Sequence, residues 1–245
     1  MKEASSAPEE EGYDYIIVGG GTTGCPLAAT LSHNFSVLLL ERGGSPYGNV
    51  NISRIENFQH TLADDSPTSP SQMFLSEDGV FNSRARVLGG GSCLNAGFYS
   101  RASPQYVKKF GWDGELVNHS YPWVEKIVAH EPSLKPWQDA VKNALLEVGI
   151  KPYNGFTYDH VHGTKLGGTI FDKHGERHTA ADLLRYANGD GLTVLLHATV
   201  SRVFFGKGTI FYLSWVFSLV LGIWGVVFHW LVCVLLPGFE VFLVV

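Results

Sequence analysis

A glycine-rich loop set between two apolar runs constrains this chain more than any other feature. Residues 13–18 (Tyr13-Asp14-Tyr15-Ile16-Ile17-Val18) are dominated by β-branched and aromatic side chains, the pattern of a strand buried on both faces. They run into Gly19-Gly20-Gly21-Thr22-Thr23-Gly24, a G-x-G-x-x-G sequence. Residues 25–32 then read as a helix, His33-Asn34 as a break, and residues 35–40 as a second buried strand closed by Glu41. A β-α-β unit with these parts predicts a Rossmann-like α/β fold and a dinucleotide site. Gly19 permits the tight turn, Gly21 lets the backbone approach a pyrophosphate, and Gly24 lets the helix pack close to the strand. Thr22 and Thr23 complete the loop, and the helix N-terminus supplies N–H groups and partial positive charge for phosphates. Glu41 stands where an acid accepts a ribose hydroxyl and repels a 2′-phosphate, although the adjacent Arg42 weakens that exclusion.

The three cysteines, Cys25, Cys93 and Cys233, form neither a disulfide framework nor a zinc pattern. Cys25, beside the phosphate loop, is expected to be a small packing residue rather than an activated thiol. Pro26 falls in the first helical turn, where proline is tolerated. His160-x-His162 lacks the carboxylates or cysteines that would complete a metal site, so no metal is expected there.

Residues 44–80 are rich in Gly, Pro, Ser, Asn and Asp and predict a long surface excursion with irregular structure of its own. A second glycine cluster follows in Arg86-Val87-Leu88-Gly89-Gly90-Gly91-Ser92-Cys93-Leu94-Asn95-Ala96-Gly97-Phe98. The glycines suggest another close backbone approach to a ligand, with Ser92 placed to cap a short helix. The segment lacks the last glycine of a G-x-S-x-G nucleophile elbow.

Taken together, residues 13–44 and 86–102 resemble the glucose–methanol–choline (GMC) oxidoreductases, in particular the plant HOTHEAD-like and hydroxynitrile (mandelonitrile) lyase branch. The resemblance runs over roughly residues 13–205. It implies FAD as cofactor, with Gly19, Gly21, Thr22, Thr23 and Gly24 at the pyrophosphate and Glu41 at the adenosine ribose. It places Val87, Gly90, Gly91, Ser92, Asn95, Ala96, Gly97 and Phe98 along the pyrophosphate, ribityl chain and flavin ring, with Asn95 and Ala96 nearest the ring. Val200 is implied to meet the adenine through its backbone. The implied substrates are small alcohols, oxidised at a CH–OH group, or cyanohydrins, cleaved without redox use of the flavin.

Helices are expected over residues 120–130 and 138–148, a hairpin turn over 172–178, and a helix over 179–187 with Thr179 as its cap. Residues 192–205 read as a strand pair or one bent strand. Asn34, Asn51 and Asn118 begin N-x-[ST] sequons, which matter only in a secretory setting. Residues 1–12 are acidic and polar, lack the apolar core of a signal peptide, and read as a disordered leader.

Composition matters mainly at the two extremes of the argument. A net charge of −5 offers no basic face for nucleic acid. By contrast, residues 209–245 carry a single charge, Glu240, and residues 210–236 carry none. As a helix, 210–236 would extend roughly 40 Å at about 1.5 Å per residue, enough to cross a bilayer with tilt. The expected organisation is therefore a leader over 1–12, a partial GMC-type FAD-binding domain over 13–208, and an apolar tail over 209–245 with a transmembrane helix at 210–236. Such a tail would place the protein at a membrane, with the body on the cytoplasmic side, whereas the family is commonly secretory. GMC proteins continue well past this length, and their catalytic histidine lies in that later part. The chain thus reads as a truncated N-terminal portion with no assignable catalytic residue, inactive alone, its tail foreign to the family. The alternative is a non-enzymatic, membrane-anchored dinucleotide-binding protein.

Overall fold

The computed structural model of the chain describes residues 1–6, 12–205, 210–220, 227–237 and 240–243. It divides into two compact units, one of Met1–Ile52, Asn57–Leu94 and Thr179–Val245, the other of Ser53–Glu56 and Asn95–His178.

The first unit is built on a parallel sheet. Its strands are β1 (Lys2–Glu3), β2 (Tyr15–Val18), β3 (Val37–Leu40), β4 (Leu192–Leu196) and β5 (Glu240–Leu243), in the order β1-β4-β3-β2-β5. Every side chain of β3 is buried, as are Ile16 and Ile17 of β2. Unbroken apolar runs mark these two as interior strands, because a parallel sheet is covered on both faces. Helix α1 (Gly24–Leu31) connects them and turns Cys25, Ala28 and Ala29 into the core. Gly24 is what permits this: a Cβ there would run into the carbonyl oxygen of Gly19. The β-α-β unit expected from the sequence is therefore present with its parts in order.

Two expectations are corrected in this unit. Residues 1–12 do not behave throughout as a leader: Lys2 and Glu3 pair in parallel with Leu195 and Leu196, and Ala4 is buried beside Tyr13, Ile16 and Leu195. An open parallel edge offers unsatisfied backbone groups, and two residues suffice to use them. Residues 7–11 lie outside the described residues. The tail is the second correction. Ile210–Val220 and Val227–Pro237 are antiparallel strands in continuous register, Ile210 opposite Pro237 and Val220 opposite Val227, and the first pairs in turn with Thr199–Phe205. Among the described residues no helix is long and apolar enough to cross a membrane. The run is uniformly apolar, so it carries no helical period, and its wealth of Val, Ile, Phe, Tyr and Trp favours the extended state.

Residues 192–205, expected as a strand pair or one bent strand, form two strands, β4 and Thr199–Phe205, broken at His197, whose φ of 54° is left-handed. The excursion after β3 holds short helical turns and the hairpin Ser71–Leu75/Phe81–Ala85.

In the second unit, Asp113 caps the helix Gly114–Val128 through bonds from the Glu115 and Leu116 N–H groups, and a further helix spans Pro136–Glu147. These cover the helices expected over 120–130 and 138–148 except for their last two and last one residues respectively. The unit is pinned by Glu125, which is buried and receives both Nε and Nη2 of Arg101 at 2.7 Å and the Tyr99 hydroxyl at 3.1 Å. The turn at 172–178 is present, closed by a bridge between Phe171 and Arg177.

Candidate functional site

The loop after β2 is shaped by backbone contacts before any side chain acts. The Gly19 N–H donates to Leu40 O at 2.8 Å, and the Cys25 N–H to Gly21 O at 3.1 Å, which closes the turn into α1. The second glycine loop is sewn to the first: the Gly89 N–H donates to Gly20 O at 2.6 Å. Gly90, with φ of +58°, comes so near that a Cβ on it would lie 2.6 Å from Gly21 Cα and 3.1 Å from Thr22 N. Only glycine satisfies both the left-handed backbone and the contact.

Gly21 is different. A Cβ there would meet nothing nearer than Gly90 Cα at 3.9 Å. Protein packing does not demand a glycine at 21; the space beside it is a cleft of about 410 Å³, within the range of small-ligand sites. Of the residues named from sequence, Gly19, Gly21, Thr22, Thr23, Glu41, Val87, Gly90 and Val200 line this cleft. Gly24 is buried under it as the packing glycine. Thr23 stands at the N-cap of α1 and its hydroxyl makes no capping bond, while both Thr22 and Thr23 are exposed.

Glu41 sits at the cleft wall, 5% exposed. Its Oε2 accepts from the Gly20 N–H at 2.9 Å and its Oε1 from the Gly43 N–H at 2.7 Å. Burial pushes this carboxyl above the usual glutamate value, against the pull of those two N–H donors. Each oxygen keeps a further lone pair, so the group can brace the loop and still accept from a ligand hydroxyl. Arg42 is engaged elsewhere: its Nη1 donates to Gln72 Oε1 at 2.7 Å and its Nη2 to Ala85 O at 3.1 Å. Cys25 is fully buried, its Sγ 3.1 Å from Gly20 O, and burial pushes the thiol up to about 12. The packing role expected for it is the one found.

Gly91 and Ser92 belong to a 3₁₀ turn, Gly90–Cys93. Ser92 does cap a short helix, but a distant one. Its hydroxyl donates to Gly89 O at 2.7 Å and accepts the Ala180 N–H at 2.9 Å, at the start of the 3₁₀ helix Ala180–Tyr186. Thr179 caps that element as expected, with Asp182 Oδ2 accepting the Thr179 N–H at 2.8 Å. The expected helix over 179–187 is thus 3₁₀ in form. Asn95, Ala96, Gly97 and Phe98 fall in the second unit. Asn95 and Ala96 are exposed, Gly97 is buried against Phe171, and Phe98 is 88% exposed.

Sequence reasoning missed Ala85, Ala198 and Thr199 as cleft-lining residues. Nothing in their types announces a ligand; they are brought there by the hairpin after residue 70 and by the break at His197.

Comparison with known proteins agrees with this geometry. Residues 17–66 match the model of the NAD(P)-binding Rossmann-like domain. The chain is 63% identical over 201 residues to the protein HOTHEAD of Arabidopsis thaliana, covering 82% of this chain and 34% of that one. It is 54% identical to an (R)-mandelonitrile lyase-like protein of the same plant, covering 83% and 37%. It is 51% identical to a sinalpyl alcohol oxidase of Nesocodon mauritianus, covering 84% and 38%. The chain therefore spans about a third of the length of the curated relatives it matches. Formate oxidase of Aspergillus oryzae shares the fold, with a TM-score of 0.69 at 19% identity over 97% of this chain and 46% of that one.

Proposed function

Because this chain is homologous to the N-terminal third of the HOTHEAD-like and mandelonitrile lyase-like GMC oxidoreductases, we propose that it provides the FAD-binding portion of such an enzyme. The observation that carries this reading is the open cleft at Gly21. The glycine there answers to no protein neighbour, and the cleft joins the loop after β2, Glu41 and Val200. Those residues fit a dinucleotide: a glycine cradle for phosphates and a buried acid with spare acceptor capacity for a ribose.

In this reading residues 13–208 act as the cofactor domain. Gly19, Gly21, Thr22, Thr23 and Gly24 hold the pyrophosphate, helped by the N-terminus of α1. Glu41 accepts from the adenosine ribose, and Val200 meets the adenine. Val87, Gly90, Gly91 and Ser92 shape the second loop, and Asn95, Ala96, Gly97 and Phe98 meet the flavin ring. When bound, FAD supplies the hydride acceptor for a CH–OH substrate. The substrate class is a small alcohol or a cyanohydrin, in keeping with the named activities of the relatives. Glu41 is acidic and disfavours a 2′-phosphorylated nucleotide, while the Arg42 guanidinium beside it donates to Gln72 and Ala85.

Purification of the full chain tests the proposal. A flavin band at about 450 nm, restored by added FAD and abolished by Gly21→Val, is the expected result. A colourless chain that takes up no added FAD would sink the reading.

A further inference from the structure

We infer that Arg177 is a positioning residue for the flavin end of the cofactor, acting by holding the turn at residues 95–97 in one shape. The inference rests on the FAD reading above and deepens it.

Arg177 is only 8% exposed, which is unusual for a guanidinium. A buried cation is tolerated where its donors are used. Here Nη1 donates to Asn95 O at 2.9 Å and to Asn95 Oδ1 at 3.1 Å, and the guanidinium lies 4.4 Å from the centre of the Phe171 ring. Its own backbone is fixed by the bridge to Phe171 and by its N–H donating to Ser53 O at 2.8 Å.

The receiving residue is equally constrained. Asn95 Oδ1 also accepts the Gly97 N–H at 3.0 Å, and Gly97 O accepts the Ile170 N–H at 2.8 Å. Two donors converge on Oδ1. The amide can therefore sit only one way round, because its NH2 group would face N–H donors if reversed. Both acceptor atoms of Asn95 are thereby used within the turn. Its Nδ2 hydrogens are what this exposed residue can offer to a ligand. Gly97 cannot relax the turn either: a side chain there would collide with Phe171. Arg177 thus sets which face of Asn95 is a donor, without itself being the group presented.

The test compares two probes on the full chain. FAD reports the whole cofactor, and ADP lacks the flavin ring. Arg177→Met keeps an unbranched side chain but removes the nitrogen that donates to both Asn95 oxygens. It is expected to weaken FAD binding about tenfold, the size of one charge-assisted hydrogen bond. It should also shift the bound-flavin absorption bands while leaving ADP binding unchanged, which also shows that the variant is folded. Asn95→Ala, at an exposed residue, reads the same contact from the other end and should match it. The double variant should lose nothing more.

Equal losses for FAD and ADP in Asn95→Ala, or an unshifted flavin spectrum in both variants, would overturn the role of Arg177 alone and leave the cofactor reading standing. A wild-type chain that binds neither probe overturns both.

Discussion

Two adjacent glycines make opposite predictions. Gly90 has φ of +58°, and a Cβ on it would lie 2.6 Å from Gly21 Cα, 3.1 Å from Thr22 N and 3.3 Å from Gly21 C. Gly91 has nothing within 4 Å of the same position. Gly90→Ala therefore meets two penalties. The left-handed backbone costs an alanine about 1–2 kcal/mol. Forcing a methyl against main chain, which cannot swing away as a side chain can, adds about 1–3 kcal/mol. A total of about 3 kcal/mol lowers the melting temperature by roughly 6–12 °C in a chain of this size. Gly91→Ala should stay within about 0.5 kcal/mol of wild type, as open surface positions do. Thermal unfolding of the three full-length proteins, followed by circular dichroism without cofactor, decides the matter. If Gly90→Ala melts with wild type, or if the two variants melt together, the two loops are not packed backbone to backbone and the argument for the cleft floor is wrong.

Three further outcomes follow from the same geometry. Native Cys25, with its thiol raised to about 12 by burial, should resist iodoacetamide at pH 8 and alkylate only after unfolding, as read by peptide mass spectrometry. Arg101→Ala leaves Glu125 buried without its bidentate partner and should destabilise the chain by about 3 kcal/mol. Adding Glu125→Gln should recover part of that loss in the same denaturant titration. Burial raises the Glu41 carboxyl in the folded state, so the folded protein holds that proton more tightly than the unfolded chain does. This contribution is complete below the unfolded value of about 4.5 and is lost as pH rises through the raised folded value. Glu41→Gln has no proton to lose, so its stability should improve relative to wild type as pH climbs. A constant offset between the two curves would refute the burial argument.

The parts of the fold legible in the sequence are those where one local rule acts alone. Residues 15–18 and 37–40 are apolar on both faces, which only an interior parallel strand explains, and Gly24 marks the helix that joins them. Thr179 was readable as a cap because a threonine opens the helical stretch. What could not be read depends on distant neighbours. The partner of Ser92, the Ala180 N–H, lies far along the chain. Lys2 and Glu3 become a strand because β4 offers them an edge. In residues 210–236 the apolar side chains mark a buried or membrane environment equally well, and where the membrane helix was inferred the described residues Ile210–Val220 and Val227–Pro237 are paired strands. Arg177 looked like one charge in a polar turn; its burial and its hold on Asn95 exist only once residues 95–97 and 171–177 have been folded together.

The seam between the glycine loops also limits how such domains can be recombined. The hydrogen bond from the Gly89 N–H to Gly20 O and the close approach of Gly90 to Gly21 involve main-chain atoms alone. A side chain added at Gly90 cannot be matched by a smaller one opposite, because what it meets there is main chain. A chimera that imports the first loop from a donor with different backbone spacing must import the second with it. Swapped as a pair, the loops travel as one cassette; swapped singly, each arrives without its fit.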